Sequence, residues 1–140
     1  MTLVSTDWLK NNLSNVKIFD ASWHLPNAKR DAKKEYAEKH IPSAIFWDLD
    51  EHSNKDSSYP HMMSNSNYWT KMMSKFGIKN NDHVIVVAPG TGKYDAAETA
   101  AIYFTFKYLG HEKISILNGG FKGWSKDWDS ETETGYTKPI

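Results

Sequence analysis

Residues 84–88, Val-Ile-Val-Val-Ala, form a near-continuous apolar run that is rich in β-branched side chains. Such a run is typical of a strand in a parallel sheet that is buried on both faces. A long helical pattern follows over residues 96–109 and ends at Gly110, and residues 114–117, Ile-Ser-Ile-Leu, form a second apolar strand. Strand, helix and strand in this order predict a parallel β-α-β unit.

The same alternation extends toward the N-terminus. Further strands are predicted at residues 16–20 and 44–47, and a helix at residues 67–76, whose Met and aromatic stripe is predicted to face the core. Ser5 or Thr6 is predicted to cap a short N-terminal helix. Together these elements predict the α/β class, with a central parallel sheet and helices on both faces.

The composition limits the functions that this chain can perform. At 140 residues one domain is expected, which we place at residues 1–130, with residues 131–140 as the start of an interdomain linker or tail. Lys plus Arg and Asp plus Glu both number 17, so no net charge favours nucleic acid or an anionic membrane as a partner. With no cysteine, the chain cannot form disulfides, thiolate metal sites or a thiolate nucleophile.

The N-terminus has no basic stretch followed by a long apolar run, so we identify no signal peptide. The apolar runs are far shorter than the roughly 20 residues that span a bilayer. We therefore expect a cytoplasmic protein without a membrane partner. The six histidines show no ligand spacing for a metal, and we expect none.

A loop between the central strand and the next helix invites comparison with a phosphate-binding loop. A phosphate-binding loop requires a glycine at the position of Val87 and a Ser or Thr at the position of Tyr94, directly after the lysine. The chain has neither, so it does not match the phosphate-binding motif. The nucleotide-binding interpretation is therefore disfavoured. The loop consists of Ala88, Pro89, Gly90, Thr91, Gly92, Lys93 and Tyr94.

Two segments resemble the rhodanese fold. Residues 40–50 have the sequence His-Ile-Pro-Ser-Ala-Ile-Phe-Trp-Asp-Leu-Asp, and residues 110–121 have Gly-His-Glu-Lys-Ile-Ser-Ile-Leu-Asn-Gly-Gly-Phe, with Trp124 after them. They are similar to the N-terminal half of two-domain mercaptopyruvate/thiosulfate sulfurtransferases, and the resemblance covers residues 8–128. Within the first segment, His40 is predicted to satisfy backbone groups at a turn.

In that family the cysteine that carries the persulfide lies in the second half, so a cysteine-free chain resembles the first half. The resemblance implies that residues 88–94 are a vestigial active-site loop, with the family's cysteine position at or next to Ala88. Such loops stabilise a sulfur anion with backbone N–H groups. The family's N-terminal halves commonly carry an Arg where Ala101 stands here.

The resemblance also implies two candidate residues for the substrate cleft. Residues 60–63, Pro-His-Met-Met, resemble the His-Met-Leu-Pro segment of mercaptopyruvate sulfurtransferases. There the His and an Asp equivalent to Asp50 reach the cleft between the domains and assist proton transfer. His61 and Asp50 would therefore lie at the carboxyl edge of the sheet. The alternative is that His61 is an ordinary loop residue and Asp50 a turn cap. Apolar surface is expected around residues 60–63 and 89–94.

The implied function is the non-catalytic N-terminal domain of an enzyme that moves sulfane sulfur from 3-mercaptopyruvate or thiosulfate to a thiol or cyanide. Its partners would be a second rhodanese domain, a small sulfur donor and a thiol acceptor, with no cofactor. The alternative is a free-standing inactive rhodanese domain that acts as a protein-binding or regulatory module.

Overall fold

The structure is a computed structural model, and it describes residues 3–22, 31–47, 66–88, 90 and 95–128. Strands and helices alternate along these segments. In chain order they are β1 (Leu3–Val4), α1 (Thr6–Asn12), a 3₁₀ turn (Leu13–Asn15), β2 (Val16–Asp20), α2 (Ala32–Glu38), β3 (Ile45–Phe46), α3 (Ser66–Phe76), β4 (His83–Val87), α4 (Asp95–Tyr108), β5 (Ile114–Leu117) and α5 (Gly120–Asp127).

The five strands form one sheet in the order β1-β5-β4-β2-β3, and every neighbouring pair is parallel. The central strand β4 pairs with β2 from His83 to Val87 and with β5 on its other side. The predicted α/β class with a central parallel sheet is confirmed.

Helices cover both faces of this sheet. Phe19, Val84 and Val86 point to one face, where they pack with residues of α3 and α4. Ile18 and Ile85 point to the other face, where they pack with residues of α1, α2 and α5. Because side chains alternate along a strand, β4 supplies both cores at once and its apolar run is continuous.

The sequence located most elements, but it did not establish α2 as a helix. Strands β2 and β5 have their predicted limits, and the stripe of α3 is buried as predicted, with Trp69, Met72 and Met73 each less than a tenth exposed. Strand β1 was not predicted. Two residues are too few to show an alternating pattern, and β1 exists because Val4 reaches the core beside β5.

Local hydrogen bonds begin and end the helices. The Ser5 side chain accepts the Trp8 N–H at 3.0 Å, which makes Ser5 the N-cap of α1. The Asp31 carboxylate accepts the Lys34 N–H at 3.1 Å and caps α2. Gly77, at φ 74°, follows α3, and the next residue donates its N–H to the Met73 carbonyl at 2.9 Å, as in a helix C-cap.

Helix α4 exposes aromatic residues on the side that faces away from the sheet. Phe104 is 63% exposed and Tyr108 is 77% exposed, and they lie one helical turn apart. Phe106, on the opposite side of the same helix, is fully buried. Among the described helices, none has the length and apolar character needed to cross a membrane.

The contrast within α4 gives a first prediction. Phe106 contacts the rings of Trp69 and Phe19 at centroid distances of 4.7 and 6.1 Å, so Phe106→Ala leaves a cavity in the core. We expect Phe106→Ala to lower the free energy of unfolding by about 3–5 kcal/mol. The matched control, Phe104→Ala, should change it by no more than about 0.5 kcal/mol. Urea unfolding followed by circular dichroism measures both, and equal losses would contradict the assigned packing.

Candidate functional site

The carboxyl ends of the parallel strands meet at one edge of the sheet. Asp20, the last residue of β2, lies in register with Val87 at the end of β4 and with Phe46 at the end of β3. The Ala21 N–H donates to the Val87 carbonyl at 2.8 Å, so the pairing continues past the strand ends. Open α/β sheets bind ligands at this edge, and we take it as the candidate site.

The loop that leaves β4 packs backbone against backbone on the turn between β5 and α5. The Ala88 carbonyl accepts the Phe121 N–H at 2.7 Å. A Cβ placed on Gly120 would lie 2.5 Å from the Ala88 oxygen and 2.8 Å from the Gly90 nitrogen. Only a residue without a side chain allows this approach, and Gly120 also has φ 62°. The start of the loop is therefore fixed to the N-terminus of α5.

A buried carboxyl group lies beside this loop. Asp20 is 4% exposed, and its Oδ1 accepts the backbone N–H of Ser22 at 3.0 Å and the Ser22 hydroxyl at 2.6 Å. The Asp20 carbonyl accepts the Trp47 N–H at 2.8 Å. Asp20 therefore braces the end of β2 against its own loop and against the end of β3.

Burial is the largest influence on the pKa of this carboxyl group. Desolvation raises the pKa of Asp20 above its ordinary value of 3.8, because a charged carboxylate is costly away from water. The two hydrogen bonds from Ser22 oppose this effect, as does the charge of His40, while Glu35 adds to it. The net direction is upward, so the site favours the protonated form more than water does.

A second brace supports the segment that leads into β3. The Tyr36 hydroxyl donates to the Ala44 carbonyl, and the ring of Tyr36 stacks on that of His40 at a centroid distance of 4.1 Å. Because a carbonyl oxygen only accepts, His40 Nδ1–H donates to the Tyr36 carbonyl at 2.8 Å. The prediction that His40 satisfies backbone groups is confirmed, and its ring is 2% exposed.

The structure describes only part of the predicted site. Ala88 and Gly90 lie at the carboxyl edge, as the resemblance implies, and Ala101 lies within α4. The other predicted site residues lie outside the described residues, and so do the segments predicted to be apolar around them, apart from Gly90. These residues are Asp50, His61, Pro89, Thr91, Gly92, Lys93 and Tyr94.

The described part of the edge is a scaffold with little chemistry of its own. At the end of β2 the polar side chains are the Asp20 carboxyl and the Ser22 hydroxyl, and these are hydrogen-bonded to each other. Within the described ranges no group of three or more His, Asp or Glu side chains could hold a metal ion. Sequence analysis did not single out Ser22, although a Ser two residues after an Asp at a strand end is a known local hydrogen-bonding pattern.

The chain matches a known family along most of its length. The model of the rhodanese-like domain matches residues 5–127. Thiosulfate/3-mercaptopyruvate sulfurtransferase 1, a mitochondrial protein of Arabidopsis thaliana, is 40% identical over 124 residues, which are 87% of this chain and 32% of that protein. The 3-mercaptopyruvate sulfurtransferase of Mus musculus is 35% identical, over 87% of this chain and 42% of that protein.

Solved structures give the same result. The crystal structure of SseA from Escherichia coli, described as a 3-mercaptopyruvate sulfotransferase with the rhodanese fold, superposes with a TM-score of 0.81 at 31% identity. The match covers 94% of this chain and 51% of SseA. The chain thus spans between a third and a half of the length of these relatives.

The close approach at Gly120 leads to a second prediction. Gly120→Ala forces a side chain into the left-handed region and against two backbone atoms that cannot move aside. Gly77→Ala is the matched control, because Gly77 has φ 74° and nothing lies within 4 Å of its added Cβ. The control should cost about 1–2 kcal/mol from φ alone. Gly120→Ala should cost roughly 1–3 kcal/mol more from overpacking. Similar unfolding free energies in urea would show that the approach is not rigid.

A third prediction concerns Asp20. Its raised pKa means that the folded chain holds a proton that the unfolded chain has already lost, so stability falls as pH rises from 3.8 through the folded-state pKa. Asp20→Asn removes this titration. The unfolding free energy of the native protein minus that of Asp20→Asn should therefore fall as pH rises through that window. Ser22→Ala removes a hydrogen bond that lowers the pKa, so it should extend the fall to higher pH.

Urea titrations at a series of pH values measure these differences. Parallel profiles for the native protein and Asp20→Asn would show that Asp20 ionises as freely when folded as when unfolded.

Proposed function

Because this chain belongs to the rhodanese-like domain family, we propose that it is the N-terminal, non-catalytic domain of a mercaptopyruvate/thiosulfate sulfurtransferase. The observation that carries the proposal is a cysteine-free chain that aligns with only 32% to 51% of the length of sulfurtransferase relatives. The remaining length would hold a second rhodanese domain that carries the cysteine.

The proposed reaction divides the work between the two domains. In the second domain the cysteine thiolate attacks the sulfur of 3-mercaptopyruvate or the sulfane sulfur of thiosulfate, forms a cysteine persulfide and releases pyruvate or sulfite. A thiol or cyanide then takes the sulfane sulfur and regenerates the thiolate. Asp50 and His61 of the present chain would lie in the cleft, where the His61 imidazole would act as the acid/base group and the Asp50 carboxylate would hold its tautomer.

The geometry of the carboxyl edge favours a structural role for this domain over a catalytic one. Ala88 stands at the start of the loop where the family resemblance places the cysteine, and an alanine cannot carry sulfur. The backbone packing between this loop and Gly120 keeps the edge in shape without any reacting group. Asp20 is occupied by its hydrogen bonds to Ser22.

A free-standing protein-binding domain is the second candidate, and one observation favours it. Phe104 and Tyr108 present exposed aromatic surface one turn apart on α4. Exposed aromatic clusters mark surfaces that other proteins cover. The coding sequence next to this chain separates the two candidates, because a second rhodanese domain with a cysteine in its loop is required only by the first.

A fourth prediction tests the sulfurtransferase proposal in the protein that joins this chain to its cysteine-bearing domain. His61→Ala should lower turnover of 3-mercaptopyruvate by roughly 10²–10⁴-fold if His61 is an acid/base group. His52→Ala, in the same segment, is the matched control and should retain activity. The 140-residue chain alone should release neither pyruvate from 3-mercaptopyruvate nor thiocyanate from thiosulfate and cyanide, because it has no thiolate.

Two results would contradict this assignment. Turnover by the purified chain alone, in proportion to its concentration, would show that a cysteine is not needed. Full activity in His61→Ala, with His52→Ala also active, would make His61 an ordinary loop residue. The assignment of this chain as the N-terminal domain would then depend only on whether a cysteine-bearing partner domain exists.

A further inference from the structure

A cavity lies at the amino edge of the sheet, on the opposite side from the loop after β4. It has a volume of about 180 Å³ and is lined by residues of α3, by the residues that precede β4 and by the segment between α4 and β5. Strand β4 is five residues long, which separates the two edges by roughly 15 Å. The cavity is therefore distinct from the candidate site at the carboxyl edge.

The inner wall of the cavity is apolar. Trp69 and Met73 of α3, together with Ile78 and Leu109, line it. The first three are 7%, 8% and 9% exposed, so only a narrow strip of each faces the cavity. This wall suits a flat or aliphatic body. The volume is below the roughly 300–1,000 Å³ of sites for drug-sized ligands, so the body should have about ten non-hydrogen atoms.

Polar groups that favour a negative charge line the remaining wall. Lys79, Asn80 and Ser74 line the cavity, and among the described residues that line it there is no carboxylate. Asp82 lies on the same turn, but its Oδ2 accepts the Lys79 backbone N–H at 2.8 Å, and it is not part of the lining. Lys79 is exposed, so its ammonium group can reach a ligand at the mouth of the cavity.

His111 adds a polar group whose orientation is fixed. Its Nε2 lies 2.7 Å from the Asp82 carbonyl oxygen, and because a carbonyl only accepts, Nε2–H is the donor. The ring also packs edge-on against Phe106 at a centroid distance of 5.3 Å. In this tautomer Nδ1 is a hydrogen-bond acceptor and cannot bind a carboxylate, so His111 contributes the surface of its ring to the cavity wall. The imidazole is 8% exposed and one of its nitrogens is hydrogen-bonded, so the position of the ring is fixed by the fold.

From this combination we propose that the cavity is a binding site for a small carboxylate with an apolar body. The apolar body packs against Trp69, Met73 and Leu109, and the carboxylate lies toward Lys79 and Asn80. The proposal is independent of the sulfurtransferase assignment, because none of these residues belongs to the carboxyl edge.

Titration of the ¹⁵N-labelled chain with phenylacetate tests this proposal by NMR. Phenylacetate has the proposed size and charge, and phenylacetamide is its neutral counterpart of equal size. We expect saturable shifts at the Trp69 indole N–H, the Lys79 amide and the His111 ring. Phenylacetamide should bind roughly three- to tenfold more weakly, because it lacks the charge that Lys79 recognises.

Substitutions separate the role of Lys79 from a general charge effect. Lys79→Gln should reduce phenylacetate affinity by the same factor and should remove the difference between the two ligands. Lys75→Gln, an exposed lysine on α3 that does not line the cavity, is the matched control and should leave both affinities unchanged. The amide of Gly120 at the carboxyl edge should not shift.

Three outcomes would overturn the proposal. Shifts that fail to saturate would show nonspecific contact only. Equal affinity for phenylacetate and phenylacetamide would remove the charge preference. A loss in Lys75→Gln as large as that in Lys79→Gln would place the effect on the net charge of the chain rather than on the cavity.

Discussion

The burial of β4 on both faces is the constraint on which the rest of the structure depends. Residues 84–87 are at most 1% exposed, and β4 has a hydrogen-bonded neighbour at each edge. A strand enclosed in this way has only its two ends open to other parts of the chain. Groups that bind or react must therefore gather at those ends, as in other parallel α/β sheets.

At the carboxyl end the described contacts are made between backbone segments, and the chain contains no cysteine. Gly120 brings the β5–α5 turn against Ala88 and Gly90, and this contact uses backbone atoms alone. The described contacts of this loop are made by the backbone of Ala88 and Gly90, and they do not require a cysteine side chain. Membership of the rhodanese-like domain family is a statement about fold, and it does not by itself assign a catalytic reaction to this chain. The same shape can support a partner domain's reaction or serve a binding role.

The carboxyl and amino ends of the sheet differ in the charge that they favour. At the carboxyl end, Asp20 is a buried carboxyl group whose pKa is raised by desolvation. The amino end carries the basic side chains of Lys79, His83 and Lys113 as well as the Asp82 carboxylate. Desolvation lowers the pKa of His83, and positively charged neighbours that include Lys113 lower it further. The His83 Nε2 lies 2.9 Å from the Ser115 hydroxyl oxygen. Lys79 lines the cavity at that end. An anion is therefore better accommodated at the amino end than beside Asp20.

The sequence by itself determined the class of fold, because the apolar run of residues 84–88 and the patterns around it report local periodicity and two-sided burial. It also determined the absence of a thiolate, which is a property of composition. Only the tertiary structure placed β1 beside β5, buried Asp20 and assembled the cavity around His111. Each of these three features depends on contacts between residues far apart in the chain or on desolvation. Such contacts and desolvation leave no periodic signal in the sequence.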